Sequence, residues 1–170
     1  MNTRCFTALV FGVIALLTPM SLRAEDLDTR KVVATVNGDP ITYAEVTAAI
    51  PAPEKTQADA RKSALEKLID KTLLLQAIRK LGALVPESML SERIQSIVDQ
   101  EFHGDKAAFT ATLEQQGYTL EMFKKFQEET ILLQIMRKQI TGKETNPVAR
   151  DQQIAKWLTA ARAGATIAYR

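Results

Sequence analysis

Residues 65–76 read Leu65-Glu66-Lys67-Leu68-Ile69-Asp70-Lys71-Thr72-Leu73-Leu74-Leu75-Gln76. At about 100° per residue, Leu65, Leu68, Ile69, Leu73, Leu74 and Leu75, continued by Ile78 and Leu81, cover nearly the whole circumference of a helix. A helix that is apolar all round must be enclosed by the rest of its domain. The run therefore predicts a central helix, beginning near Thr56 and closed by Gly82, with the remaining elements packed about it.

Working toward the N-terminus, Thr42-Tyr43-Ala44-Glu45 is a capping box, in which hydroxyl and carboxylate satisfy the first amides of a helix. That helix is short, because Pro51 and Pro53 follow. Before it, Lys31-Val32-Val33-Ala34-Thr35-Val36 is β-branched and runs into Asn37-Gly38, two residues that tolerate positive φ and so mark a hairpin. Pro40 has no N–H for a ladder, which places the return segment at a sheet edge. An isolated hairpin is marginal in water. The remaining strand candidate is residues 165–169 at the far end of the chain, so the two ends are expected to meet in one sheet.

Toward the C-terminus, Pro86 suits the first position of a third helix, reaching about Glu101 with Leu90, Ile94, Ile97 and Val98 inward. His103-Gly104-Asp105 breaks it. A fourth helix spans Lys106 to Gln116, with Phe109 and Leu113 one turn apart, and ends at Gly117. Thr119 caps a fifth that runs to about Ile140. Pro147 opens the last helix, on which Ile154, Trp157, Leu158 and Ala161 share a face, and Trp157 is read as packing against the central helix. The expected fold class is mainly α, about six helices with a small β-sheet formed by an N-terminal hairpin and a C-terminal strand.

The chain has 170 residues, 46% hydrophobic and 25% charged, which describes one ordinary globular domain and argues against disorder. Residues 1–24 combine a basic start, an apolar run from Cys5 to Leu17 and a small residue, Ala24, ahead of Glu25 and Asp26. This reads as a cleavable signal peptide; the 13-residue run is shorter than the ~20 residues that span a bilayer, so no stable membrane insertion is expected. Removing 24 of the 170 residues leaves a mature chain of 146, 25–170, read as a single domain. Of the 22 Lys and Arg, Arg4 and Arg23 go with the signal, leaving 20 positive against 20 negative groups. A neutral chain has no excess of cations to displace the counterions of a phosphate backbone, which argues against nucleic acid. The sole cysteine, Cys5, also goes, excluding disulfides, thiolate catalysis and cysteine metal sites from the mature chain.

Candidate chemistry is sparse. His103 is the only histidine, too few for a histidine metal site, and it is read as structural or solvent-exposed. Glu128 and Glu129 are neighbours on a helix and do not converge on one atom. With no nucleophile motif, phosphate loop or triad, the chain is read as a non-enzyme needing no cofactor or metal. Phe102, Phe109, Tyr118, Met122, Phe123 and Phe126 crowd into 25 residues. Methionine with aromatics suits an adaptable surface for unrelated apolar peptides, and equally suits a core; both readings stay open.

Several segments together resemble the SurA family of periplasmic chaperones, which includes the related PrsA-type foldases. Val32 to Thr42 with Glu45 is similar to the family's first strands and helix start, and Leu65 to Gln76, closed by Lys80-Leu81-Gly82, to its most characteristic helix. Phe109 to Leu113 and Gln116-Gly117-Tyr118-Thr119-Leu120-Glu121 with Phe123 follow its aromatic helix, glycine break and capped long helix. Trp157 to Arg162 with Ala165-Thr166-Ile167 resembles its C-terminal helix and strand. The family usually carries one or two parvulin prolyl isomerase domains before that C-terminal helix, but here only about ten residues separate Ile140 from Arg150. What the resemblance implies is therefore the chaperone core alone, an N-terminal lobe of residues 31–140 completed by residues 147–170, without isomerase activity. It implies a periplasmic, ATP-independent holdase for unfolded exported polypeptides, with outer-membrane protein precursors as the client class. The alternative is a dedicated assembly or scaffold subunit that binds one fixed partner. The short segment 141–146 also makes a homodimer by swapping of the terminal segment an expectation.

Overall fold

The structure is a computed structural model and describes residues 30–51 and 58–170. The segment read as a signal peptide, and the expected start of the central helix near Thr56, lie outside the described residues. Among those described, the order is β1 (Val32–Val36), β2 (Asp39–Thr42), α1 (Tyr43–Ala48), α2 (Ala58–Lys80), α3 (Glu87–Phe102), α4 (Lys106–Gln115), α5 (Leu120–Thr141), α6 (Pro147–Ala163) and β3 (Ile167–Tyr169). The fold is mainly helical with one small antiparallel sheet, as the sequence predicts.

Asn37 and Gly38 take φ of 51° and 95°, the paired left-handed conformations that let a two-residue turn follow the strand twist. β1 is the middle strand, with β2 on one side and β3 on the other. Pro40 therefore sits on an edge strand, opposite Thr35, where its missing donor costs nothing. On the other side Ala34 faces Tyr169, Thr35 faces Ala168 and Val36 faces Ile167. The sheet that closes the two ends of the chain is thus present, though β3 is three residues long rather than the five expected.

At the start of α1, Glu45 N–H donates to the Thr42 hydroxyl (3.3 Å) and Thr42 N–H to the Glu45 carboxylate (2.7 Å), completing the capping box. Asp105 caps α4, Thr119 caps α5 and Asn146 caps α6 with Pro147 in its first turn. Pro86 differs from expectation by one position. It is the N-cap residue of α3, in extended conformation, and caps with no side-chain hydrogen bond because it has no polar side-chain atom to offer.

α2 runs through two of the three apolar clusters. Its first half, at Ala64, Ile69 and Leu73, packs beneath Ala34, Val36 and Ile41 of the hairpin and Val46 of α1. Its second half, Leu74, Leu75 and Ile78, meets Leu132 and Met136 of α5, with Trp157 and Leu158 of α6 laid against them. Lys71 pairs with Glu129 at 2.7 Å, joining α2 to α5. Trp157 is where the sequence places it. The third cluster, Val98, Phe109 and Leu113, ties α3, α4 and α5 together away from α2.

Candidate functional site

The six residues singled out in the sequence divide into two sets. Phe109 is 4% exposed on α4, and its ring meets Phe102 and Phe123 edge-on, with centroids 5.4 and 5.3 Å away. Edge-to-face stacking satisfies the ring quadrupoles while closing the corner where three helices meet. Phe102 and Phe123 are half-buried against the same cluster.

Tyr118, Met122 and Phe126 face outward, at 45, 51 and 57% exposure. Local chain geometry puts them there. Gly117, at φ 76°, turns the chain after α4, and Tyr118 N–H donates back to Leu113 O at 2.9 Å. The Thr119 hydroxyl then accepts from Met122 N–H at 3.1 Å and starts α5 at once. Tyr118 is left just outside the helix, while Met122 and Phe126 lie one turn apart on a single face. Leu120, 40% exposed, lies on another side of the helix, about 160° round from Met122. Sequence reading missed it because a leucine at the first position of a helix carries no sign of which way it will point.

Leu133, seven residues beyond Phe126 on the same face of α5, packs against the cluster that includes Trp157 and Leu158 of α6. Phe126 and Leu133 thus share one face of α5, which is half-buried at Leu133 and open to water at Phe126 and Met122. Polar contacts fix α5 beside α3: Lys124 lies 3.6 Å from both Glu87 and Glu121, and Arg93 donates to Gln127 at 3.5 Å. A second exposed apolar group, Leu81, Leu84 and Met89, sits at the corner between α2 and α3. A cleft of about 430 Å³ where α5 meets α6 has a mixed lining, with Gln134, Arg137, Lys138, Arg150 and Asp151 beside Ile154.

A polar clasp that sequence reading did not find holds the C-terminal segment to α2. Arg162 donates from Nε to Asp70 (2.7 Å) and from Nη1 to Glu66 (2.6 Å), and Nη2 reaches the Glu66 backbone carbonyl at 3.0 Å. The Tyr169 hydroxyl donates to the other Glu66 oxygen at 3.1 Å. Hydrogen bonding from Arg162 holds the Glu66 carboxyl below its ordinary value against the opposing effect of burial. Asp70 in turn raises the Arg162 guanidinium, and burial followed by the bond to Glu66 raises the Tyr169 phenol. Ninety-two residues separate Asp70 from Arg162, so no local pattern signals the pairing. Glu66 and Asp70 at i and i+4 on α2 are its only trace in the sequence.

His103 ends α3 in the left-handed conformation, φ 53°, and is exposed. Among the described residues no group of three or more His, Cys, Asp or Glu is placed to hold a metal ion, and no helix is long and apolar enough to cross a membrane.

These features describe a helical core whose small sheet is completed by the chain's own C-terminal strand. Residues 2–137 match the model of the SurA-like N-terminal domain, and the chain belongs to that chaperone family. Among solved structures it is similar to a chain described with the virulence factor PEB4 and the periplasmic protein Cj1289, two structurally related SurA-like chaperones of the human pathogen Campylobacter jejuni. The identity is 19% and the TM-score 0.48, over 78% of this chain and 50% of that one, so this chain spans about half the length of its structural neighbour. No curated protein matches it. The family's parvulin domain is absent between α5 and α6, where residues 142–146 alone make the connection.

Proposed function

We propose that the protein is a periplasmic, ATP-independent holdase that binds extended apolar segments of unfolded exported polypeptides, outer-membrane protein precursors among them. The observation that carries this reading is the exposed set Tyr118, Leu120, Met122 and Phe126 on the N-terminal half of α5. Exposed apolar residues scattered singly are ordinary, but Met122 and Phe126 stand one turn apart with Tyr118 just before the helix, and an exposed apolar group of this kind supports a binding surface. Methionine and aromatic side chains adapt to unrelated sequences, since the thioether is flexible and the rings present large area at small entropic cost. Covering apolar segments hides the strand edges through which unfolded barrel precursors aggregate. Release needs no nucleotide if the contacts are few and exchange quickly. Prolyl isomerase activity is not part of this reading, since five residues between α5 and α6 cannot form a domain.

The test is light scattering from a urea-denatured porin diluted into buffer with and without the mature protein, with an unrelated denatured enzyme as second client. Suppression with both supports a general holdase, and suppression with the porin alone supports selectivity for barrel precursors. Suppression with neither, from a folded sample, overturns the reading in favour of a scaffold with one fixed partner. The separable C-terminal segment also supports partial dimerisation by exchange of residues 147–170. Static light scattering that finds monomer alone over a wide concentration range removes that expectation.

A further inference from the structure

β1 has one side paired to β2 through a two-residue turn and the other paired to a strand from the far end of the chain. That second pairing is held by polar contacts and by a few half-buried apolar side chains, Ala161, Ala165 and Ile167, packed against the core beneath the hairpin. Asn37 N–H donates to Thr166 O (2.8 Å), Thr166 N–H returns to the Asn37 side-chain oxygen (2.9 Å), and Arg170 N–H donates to Val33 O (2.9 Å). Of β3 itself, Ile167 is half-buried, and Ala168 and Tyr169 are exposed. α6 contributes one fully buried side chain, Ile154. Trp157 and Leu158 lie half-buried against the second cluster, and Arg162 and Tyr169 add a hold through Glu66 and Asp70, all partly exposed. By contrast β1 is anchored to the core at Ala34 and Val36, both 0% exposed over Ile69 and Leu73.

We propose that this side of β1 is a strand-acceptor site for extended client segments, and that β3 is the chain's own strand covering it when no client is bound. The inference rests on the holdase reading and names how a client is recognised. Main-chain pairing is indifferent to sequence, which is what a binder of many unrelated chains requires. The seat also has a preference. A strand on it meets the apolar cluster at the position of Ile167 and water at the position of Ala168. At the third position Tyr169 is exposed and its hydroxyl meets Glu66, so the seat fits a segment with an apolar residue followed by one that faces water, as in a β-strand with one wet face, the pattern of barrel precursors.

Once Cys5 is removed with the signal the chain has no cysteine, so Thr35→Cys with Ala168→Cys introduces a single pair. Thr35 and Ala168 are direct partners, and hydrogen-bonded antiparallel partners stand about 5.5 Å apart at Cα, within reach of a disulfide. With denatured porin as client, the oxidised protein should need about tenfold more material for half-suppression of scattering than the same sample after reduction, as expected when the competent form is a minority. Equal potency before and after reduction overturns the proposal and leaves the holdase reading intact, whereas a wild type that protects no client sinks both. Arg162→Ala is the second arm, needing no crosslink. Loosening the clasp should lower the half-suppression concentration relative to wild type; an unchanged or higher value in the folded variant means that β3 is only structural.

Discussion

Phe102, Phe109 and Phe123 differ from Tyr118, Met122 and Phe126 in position far more than in chemistry. The first three point into one corner between α3, α4 and α5 and stack on each other. The second three point to water from the turn into α5 and its first two helical turns. Phe123 and Phe126 are three residues apart on one helix, yet one supports the core and the other is open to water. An apolar side chain's role here is set by the rotation of its helix relative to its neighbours, so a cluster of aromatics in sequence does not define a site.

The contrast is tested most severely at Phe109. Phe109→Ala removes the ring between two others and should cost about 3–5 kcal/mol, read as a lower urea midpoint with unchanged slope. A loss below 1 kcal/mol would mean that the corner is not the packed region described. Arg162→Ala should follow at about 1–2 kcal/mol, because charge-assisted bonds are strong but this clasp is partly exposed and screened.

Acid sharpens the same clasp. The folded-state value of Glu66 lies below its ordinary 4.5, so its contribution is fully present above the unfolded value and is lost as pH falls through the folded one. Wild type should therefore exceed Glu66→Gln in melting temperature at pH 7, and the gap should narrow progressively as pH falls below 4.5. A gap that is constant with pH would show that the carboxylate charge does not contribute. The smallest stability effect belongs to the open set. Phe126→Ala should change stability by no more than about 0.5 kcal/mol, the usual range for a surface change. It should still raise the concentration needed to hold a denatured porin by several-fold, the scale of a single aromatic contact at an interface. Loss of stability without loss of holding would put Phe126 with the core instead.

Local signals in the sequence carried most of the fold. Asn37-Gly38, the Thr42/Glu45 box, Gly82, Asp105 and Thr119 each act within a few residues, through φ or through an unpaired amide, so each can be read from its neighbours. The all-round apolar run at residues 65–78 announced a central helix, and α2 is that helix. The closing strand was legible for a negative reason: a hairpin needs a third strand, and one candidate remained. The site was half legible. Six residues were named, but not their division, and Leu120 was missed.

By itself, then, the sequence determined the elements, their caps, the centrality of α2 and the meeting of the two ends, because each follows from short-range sterics, hydrogen bonding or hydrophobic period. Only the tertiary structure decided that Phe109 faces in while Phe126 faces out, and that Arg162 reaches across 92 residues to Asp70. Those outcomes depend on how far each helix is rotated when it docks. Rotation is fixed by the simultaneous packing of several helices, which no single window of sequence contains.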